Sequence, residues 1–347
     1  MKSYVFPGQI DSELMKICSE PIPYMRTPEF SEIVKNTERM LLQFVGCKHG
    51  RTIIYTGSGT GAMDAVVNNY VSTRKKALII DGGAFGHRWV DLCDYYGCNH
   101  TVFEVPFALD PDYNKLEQKI VLEGADVLLC QHHETSSGEL FDIRAISDIC
   151  KRHGVSLVVD IISSFLAEPF DMDELGVDIC ITSTQKGLNI LPGLSIVFLS
   201  KQVLQQNFAH RGYYFDFEEN LMNLVRGQTP YSPATTLFLQ LHRRCLQLVR
   251  MGVDRNIEII RQRADWFREI CNHYDWKRPA QTPSVAITSF NIHKNGEILA
   301  RTLIEEAGIF IMPSSSHKNL FRVSHMGEQT HEDLIELGTL IHNIEQR

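Results

Sequence analysis

Seven short apolar runs between residues 52 and 199 constrain the fold of this chain more than any other feature. They occupy 52–55, 77–80, 101–105, 127–131, 155–159, 179–182 and 195–199, and stretches of helical periodicity separate most of them. Runs such as Ala77-Leu-Ile-Ile and Val155-Ser-Leu-Val-Val are almost continuously apolar, with no polar alternate positions. A strand that exposes one face to water alternates, whereas one covered on both faces does not. The pattern predicts an α/β unit: a mainly parallel, seven-stranded sheet with helices on both faces.

The remaining segments are organised around that sheet. Residues 1–23, with prolines at 7, 21 and 23, read as an irregular arm, either frayed or laid across a neighbouring subunit. Thr27-Pro-Glu-Phe-Ser-Glu is a capped helix start, followed by Ile33, Met40, Leu41 and Phe44 at helical spacing. Long helices are expected at 234–250 and 256–272, broken by Gly252. Beyond them the sequence predicts a strand near 285–291, a helix near 296–307, short strands near 309–312 and 319–323, and a closing helix from Thr330. The expected division is an arm (1–23), a large α/β domain (24–252) and a smaller carboxyl-terminal α+β domain (253–347).

Charge and cysteine usage exclude several function classes. A formal charge of -8 argues against a surface for nucleic acid or an anionic membrane, which needs clustered positive charge. Nine cysteines are scattered without C-x-x-C spacing, and several lie inside apolar runs, which points to a reducing, cytoplasmic setting. The start of the chain has no signal-peptide apolar core, and no run of 18 apolar residues occurs, so neither secretion nor membrane insertion is expected. Small-molecule chemistry remains.

In open α/β sheets ligands bind at the carboxyl ends of the strands, and the reactive residues of this sequence fall there. Thr56-Gly-Ser-Gly-Thr-Gly leads from a strand into a helix and offers glycines and free amides to an anion; it matches neither a Walker loop nor a dinucleotide fingerprint. Gly82-Gly-Ala-Phe-Gly-His-Arg places Phe85 where it could lie on a planar ring. Gln131-His-His-Glu-Thr-Ser-Ser-Gly is rich in hydrogen-bonding groups. Adjacent strand residues point to opposite faces, so His132, His133 and Glu134 read as a polar pocket wall in preference to a metal site. Asp160 ends one buried strand, and Lys186 follows the next in Ser183-Thr-Gln-Lys-Gly. A buried ammonium is costly unless paired, and a lysine that forms an imine escapes that penalty. Together the two residues offer an imine-forming amine and a carboxylate to hold a pyridinium nitrogen protonated.

As an ordered set these motifs, with Pro7-Gly8, Arg26-Thr-Pro-Glu-Phe and Phe321-Arg-Val-Ser-His-Met-Gly, resemble the class V aminotransferases of the fold-type I pyridoxal-phosphate enzymes. The likeness is greatest to the branch of the 2-aminoethylphosphonate:pyruvate and alanine or serine:glyoxylate transaminases. The resemblance implies pyridoxal 5'-phosphate bound covalently to Lys186, which then moves the α-proton, with Asp160 on the pyridine nitrogen. It implies Ser58, Gly59, Thr60 and Gln185 at the phosphate, Phe85 and Ile162 on the two ring faces, and Thr135 at the phenolic oxygen. Arg322, with Gly8, would hold the substrate, the guanidinium forking onto its carboxylate. Either Thr229 or Tyr231 would reach the phosphate of a partner subunit, which implies a homodimer with shared sites. Phe85 departs mildly from the family, which more often has Trp or Tyr there. His325 is a second departure; it reads as a solvent-facing strand end, with contact to an acidic substrate as the other option. The expected activity is transfer of an amino group from a small amino acid or a 2-aminoethylphosphonate-like donor to a small keto acid such as pyruvate or glyoxylate. A lyase, decarboxylase or desulfurase on the same fold is the alternative, and the lack of any cysteine after Cys271 counts against the last.

Overall fold

The computed structural model describes residues 2–294, 296–314 and 317–347. Its centre is a seven-stranded sheet. In chain order the strands are β1 (Arg51–Thr56), β2 (Ala77–Asp81), β3 (His100–Glu104), β4 (Val127–Gln131), β5 (Ser156–Asp160), β6 (Ile179–Ser183) and β7 (Leu194–Leu199). They lie side by side as β1-β7-β6-β5-β4-β2-β3. All neighbouring pairs are parallel except the two that β7 makes, with β1 and β6. The predicted mainly parallel sheet is therefore present, with one reversed strand inserted near an edge.

Strand periodicity divides the core into two layers. Val127 and Leu129 of β4 face one apolar cluster, whereas Leu128 and Cys130 face the other. Val158 of β5 and Ile181 of β6 join the first layer, and Val159 and Cys180 the second. Because both faces are covered, interior positions on these strands are apolar apart from small hydroxyl residues such as Thr182 until the strand ends. Gln131, Asp160 and Ser183 are those ends, and the register pairs Asp160 with both Gln131 and Ile181.

The helices start where the sequence supplies caps. In α1 (Pro28–Val45) the Thr27 side chain accepts from the Phe30 amide, with Pro28 in the first turn. The helices α2 (Gly59–Asn69) and α3 (Ala84–Tyr96) follow β1 and β2. The helices α4 (Tyr113–Glu123) and α5 (Ile143–His153) are capped by Asp112 and Asp142, and α6 (Phe217–Val225) by Asp216. The long helices are α7 (Thr235–Met251) and α8 (Val253–His273), with Gly252 between them at φ 88°. A short hairpin of His133–Glu134 and Glu139–Leu140, absent from the sequence expectation, follows β4.

Toward the carboxyl terminus β8 (Ile287–Asn291), β9 (Met312–Pro313) and β10 (Leu320–Ser324) form an antiparallel sheet in the order β8-β10-β9. It is covered by α9 (Gly296–Ala307) and by α10 (His331–Glu345), which opens with a Thr330–Asp333 capping box. The amino-terminal arm is not frayed. Lys2–Ser3 pairs in parallel with Ile309–Phe310, and Tyr4 is fully buried in a cluster with Phe267, Phe290 and Val323. The Tyr4 carbonyl accepts from the Ser324 amide at 2.9 Å, so the arm is fastened to the strand that carries Arg322. Burial of one large aromatic ring holds a segment whose composition suggested disorder. No described helix is long and apolar enough to cross a membrane.

Candidate active site

Lys186 lies in the turn after β6 and is 7% exposed. The turn admits it because Gly187 follows: a Cβ there would sit 1.9 Å from the Phe165 carbonyl oxygen. Asn189, at φ 47°, closes the turn by donating its amide to the Lys186 carbonyl at 2.8 Å. The amine faces two rings, with Nζ 3.4 Å from the centroid of Phe6 and 5.9 Å from that of Phe85. Burial draws its pKa down from 10.5 to about 7; Asp160 opposes the shift, and Arg322 and Arg88 add to it. An amine in this state is a competent nucleophile and proton carrier near neutral pH.

Asp160 is the electrostatic counterpart. Burial raises its carboxyl to about 7, opposed by the Ile162 amide, which donates to Oδ1 at 2.7 Å. Glu134 pushes it further up, and Lys186 and Arg88 pull it down. A cationic ring nitrogen against this carboxyl would return it to the carboxylate.

A cradle lies beside the pair, at the start of α2. Ser58 is the N-cap residue, yet its side chain makes no capping bond, so the first-turn amides face outward. A Cβ on Gly59 would come within 2.7 Å of Ile162 Cδ1, so only glycine lets the backbone lie this close to Ile162. Ser183 Oγ, 3.3 Å from that same point, is buried without a hydrogen-bond partner among the described residues. Thr60 Oγ1 accepts from Arg88, whose guanidinium also lies over the Phe85 ring, 5.0 Å from its centroid.

Glu134 builds the third side, and sequence reading assigned it no more than a place in the pocket wall. Fully buried, it accepts from the Gly86 amide at 3.1 Å, the Phe85 amide at 3.3 Å, Gln131 Nε2 at 2.9 Å and the Ser136 amide at 3.0 Å. It thereby caps α3 from outside and fixes Phe85 beside Lys186. The next residue, Thr135, donates its hydroxyl to Ser163 and offers its carbonyl to Arg322 Nη1 at 3.1 Å. Arg322 Nη2 donates to the Pro313 carbonyl at 2.9 Å, while Nε is buried without a partner among the described residues. Two carbonyls therefore orient the fork, and N–H groups remain for a carboxylate.

A planar ring carrying an anion, an amine-reactive carbonyl and a basic nitrogen fits this arrangement. Phe85 and Ile162 could cover its faces, the open first turn of α2 its anion, and Asp160 its nitrogen.

The comparisons with known proteins agree. The aminotransferase class-V family model matches residues 23–219, more than half of the chain. The chain belongs to the class-V aminotransferase family. The 2-aminoethylphosphonate–pyruvate transaminase of Vibrio vulnificus is 25% identical over 88% of this chain and 87% of its own length. The L-aspartate–glyoxylate aminotransferase of Paracoccus denitrificans is 28% identical over 72% of this chain. That match covers 64% of the Paracoccus protein, so less than two thirds of this relative is spanned. The fold is that of the fold-type I transferases. The subgroup IV aspartate aminotransferase of Thermus thermophilus superposes with a TM-score of 0.91 at 21% identity, covering 99% of this chain and 98% of its own.

Other expected residues of this class-V chain lie at varying remove from the lysine. Gln185 is half-buried immediately before Lys186. Gly8 donates its amide to Asn189 Oδ1 at 3.1 Å, and a Cβ on it would lie 2.5 Å from Gly327 Cα, so the arm passes between the lysine turn and the segment after β10. Thr229 and Tyr231 occupy a loop held by Arg26, which donates to the Thr229 and Pro230 carbonyls. Thr229 Oγ1 bonds the Tyr231 carbonyl, and Tyr231 stacks on Tyr214, centroids 5.3 Å apart. Within the single chain Thr229 is engaged with its own loop and Tyr231 with Tyr213 and Tyr214, in the segment before α6. His325 corrects an expectation: it is fully buried, not solvent-facing, and shares a 2.8 Å hydrogen bond with Thr288. His325, one residue past the end of β10, turns inward against the Phe267 ring, which strand alternation alone did not reveal. His132 and His133 do diverge: His132 packs on Phe170, whereas the charge on Lys186 helps hold His133 neutral.

Sequence reading gave Glu134 a place in the pocket wall without its role and missed Arg88 and Phe6 as parts of the site. Arg88 follows Phe85 by three residues on one helix face, a spacing that could have exposed it. Nothing local marks Phe6.

Proposed function

We propose that this chain is a pyridoxal 5'-phosphate-dependent transaminase. It takes the amino group of a small amino acid or a 2-aminoethylphosphonate-like donor and passes it to a small keto acid such as pyruvate or glyoxylate. The observation that carries the reading is Lys186, a fully enclosed amine with a pKa of about 7, set among Asp160, Phe85 and Arg322. Ser58, Gly59 and Thr60 would hold the phosphate with Gln185 beside it, Phe85 and Ile162 the ring faces, and Thr135 the phenolic oxygen. When bound, the cofactor supplies an electron sink for the carbanion left after α-proton removal.

The chain's own residues do the rest. Lys186, about half neutral near pH 7, takes the α-proton from the donor and returns it one carbon away, serving as base and then acid. Asp160 keeps the ring nitrogen protonated. Arg322 holds the substrate carboxylate, and its orientation by the Thr135 and Pro313 carbonyls brings the α-carbon to the same spot in both half-reactions. The substrate alternation makes the kinetics ping-pong.

The assembly is read as a homodimer in which Thr229 or Tyr231 reaches the partner's phosphate. Tyr213, 84% exposed beside Tyr231, supports a surface meant to be covered. A cytoplasmic location is supported by nine free cysteines, of which seven are buried. Incubation of the loaded protein with alanine, serine, aspartate or 2-aminoethylphosphonate and a keto acid tests the reaction. Equimolar keto and amino products, lost in Lys186→Ala, are expected. Release of sulfide, carbon dioxide or ammonia without amination of the acceptor would overturn transamination in favour of a lyase, decarboxylase or desulfurase.

A further inference from the structure

The ring nearest the reactive amine belongs to the arm, not to the sheet. Phe6 lies with its centroid 3.4 Å from Lys186 Nζ, in van der Waals contact, whereas Phe85 is at 5.9 Å. Phe6, itself half-buried, packs against the buried cluster that holds Ala167, Val285, Ile287 and Met326. The ring cannot readily withdraw, because the chain is fastened on both sides of it. Before it, Tyr4 is buried and bonded through its carbonyl to the Ser324 amide. After it, Ser3 Oγ donates to the Pro7 carbonyl, Gly8 bonds Asn189 of the lysine turn, and Gly8 abuts Gly327. Ser324 is two residues from Arg322 on β10, so Phe6 and the carboxylate-holding guanidinium are referenced to one strand. A substrate whose reacting carbon lies at Lys186 Nζ lies beside this ring.

We propose that Phe6 is the specificity-determining wall of the site, admitting donors with a side chain the size of that of alanine or serine and rejecting aromatic ones. The proposal rests on the transaminase reading above for the word donor, but the steric claim can be measured without turnover. Propionate and 3-phenylpropionate are alanine and phenylalanine without the amine, so they can occupy the Arg322 site and cannot react.

Calorimetric titration of the pyridoxal-phosphate-loaded protein with each acid gives a ratio of affinities. The wild type should favour propionate by roughly tenfold or more, since a few methylene-sized groups in a closed pocket are worth that much. Phe6→Ala should cut this preference by roughly tenfold while leaving propionate affinity within about threefold. Phe6→Leu, which keeps apolar packing for the arm, should fall between them; unfolding midpoints confirm that both variants fold. An unchanged ratio in both variants overturns the proposal, as does equal binding of the two acids, or of neither, by the wild type. If the acids discriminate as expected but no amino acid is transaminated, the reaction assigned above fails and the wall stands.

Discussion

Replacing the central lysine should make the cofactor-free protein more stable. Lys186 sits 7% exposed against two rings, and its folded-state pKa of about 7 lies below the ordinary 10.5. Between these values the unfolded chain holds more protons than the folded one, so this residue's contribution makes stability rise with pH across that window. At about 1.4 kcal/mol per pKa unit, the desolvated amine costs about 5 kcal/mol at pH 7 and about 2 kcal/mol at pH 9. Lys186→Met keeps the length of the stem and removes the charge. Asp160 offsets part of the gain, because without the ammonium its already raised carboxyl climbs further. The net stabilisation expected at pH 7 is roughly 2–4 kcal/mol. Urea unfolding of both cofactor-free proteins at pH 7 and pH 9 measures it, and the gap should narrow by roughly half at the higher pH. A variant no more stable than the wild type at pH 7, or a gap that does not close with pH, would refute the reasoning.

Two further changes probe the scaffold. Glu134→Gln puts an amide among five groups that donate to the carboxylate; it should lose about 2 kcal/mol of stability and weaken cofactor binding about tenfold, read by thermal unfolding and spectral titration. The same change removes a negative neighbour, so Asp160 should titrate lower than in the wild type, a shift visible by carboxyl NMR. Gly187→Ala brings a Cβ to 1.9 Å from a backbone carbonyl that no rotamer change can clear; a loss of roughly 3 kcal/mol or more is expected in the unfolding midpoint, with a fall in soluble yield.

The sheet was readable because burial on both faces keeps strand interiors apolar, with only small hydroxyl residues such as Thr52, Thr182 and Ser195 among them, until a strand ends. Polarity then resumes at Gln131, Asp160 and Ser183, and the same rule that located the strands located the site. The hairpin after β4 escaped because its residues are polar yet buried, their hydrogen bonds made within the pocket wall. The arm escaped for a related reason: Tyr4 and Phe6 act through partners more than 160 residues away, and no local period records such contacts. His325 illustrates the limit of alternation at a strand end, where one added residue decides between solvent and core. Glu134 was visible as a polar residue, but its service to Phe85 depends on two strand-end loops meeting in space.

The helix α2 begins with a serine that does not cap it, whereas α1, α4, α5, α6 and α10 each begin with a threonine or aspartate that does. A helix so arranged borrows the completion of its first turn from whatever anion settles there. Under the proposed function, an anion bound at that turn stabilises the folded chain by mass action, so the folded fraction rises with the concentration of that anion.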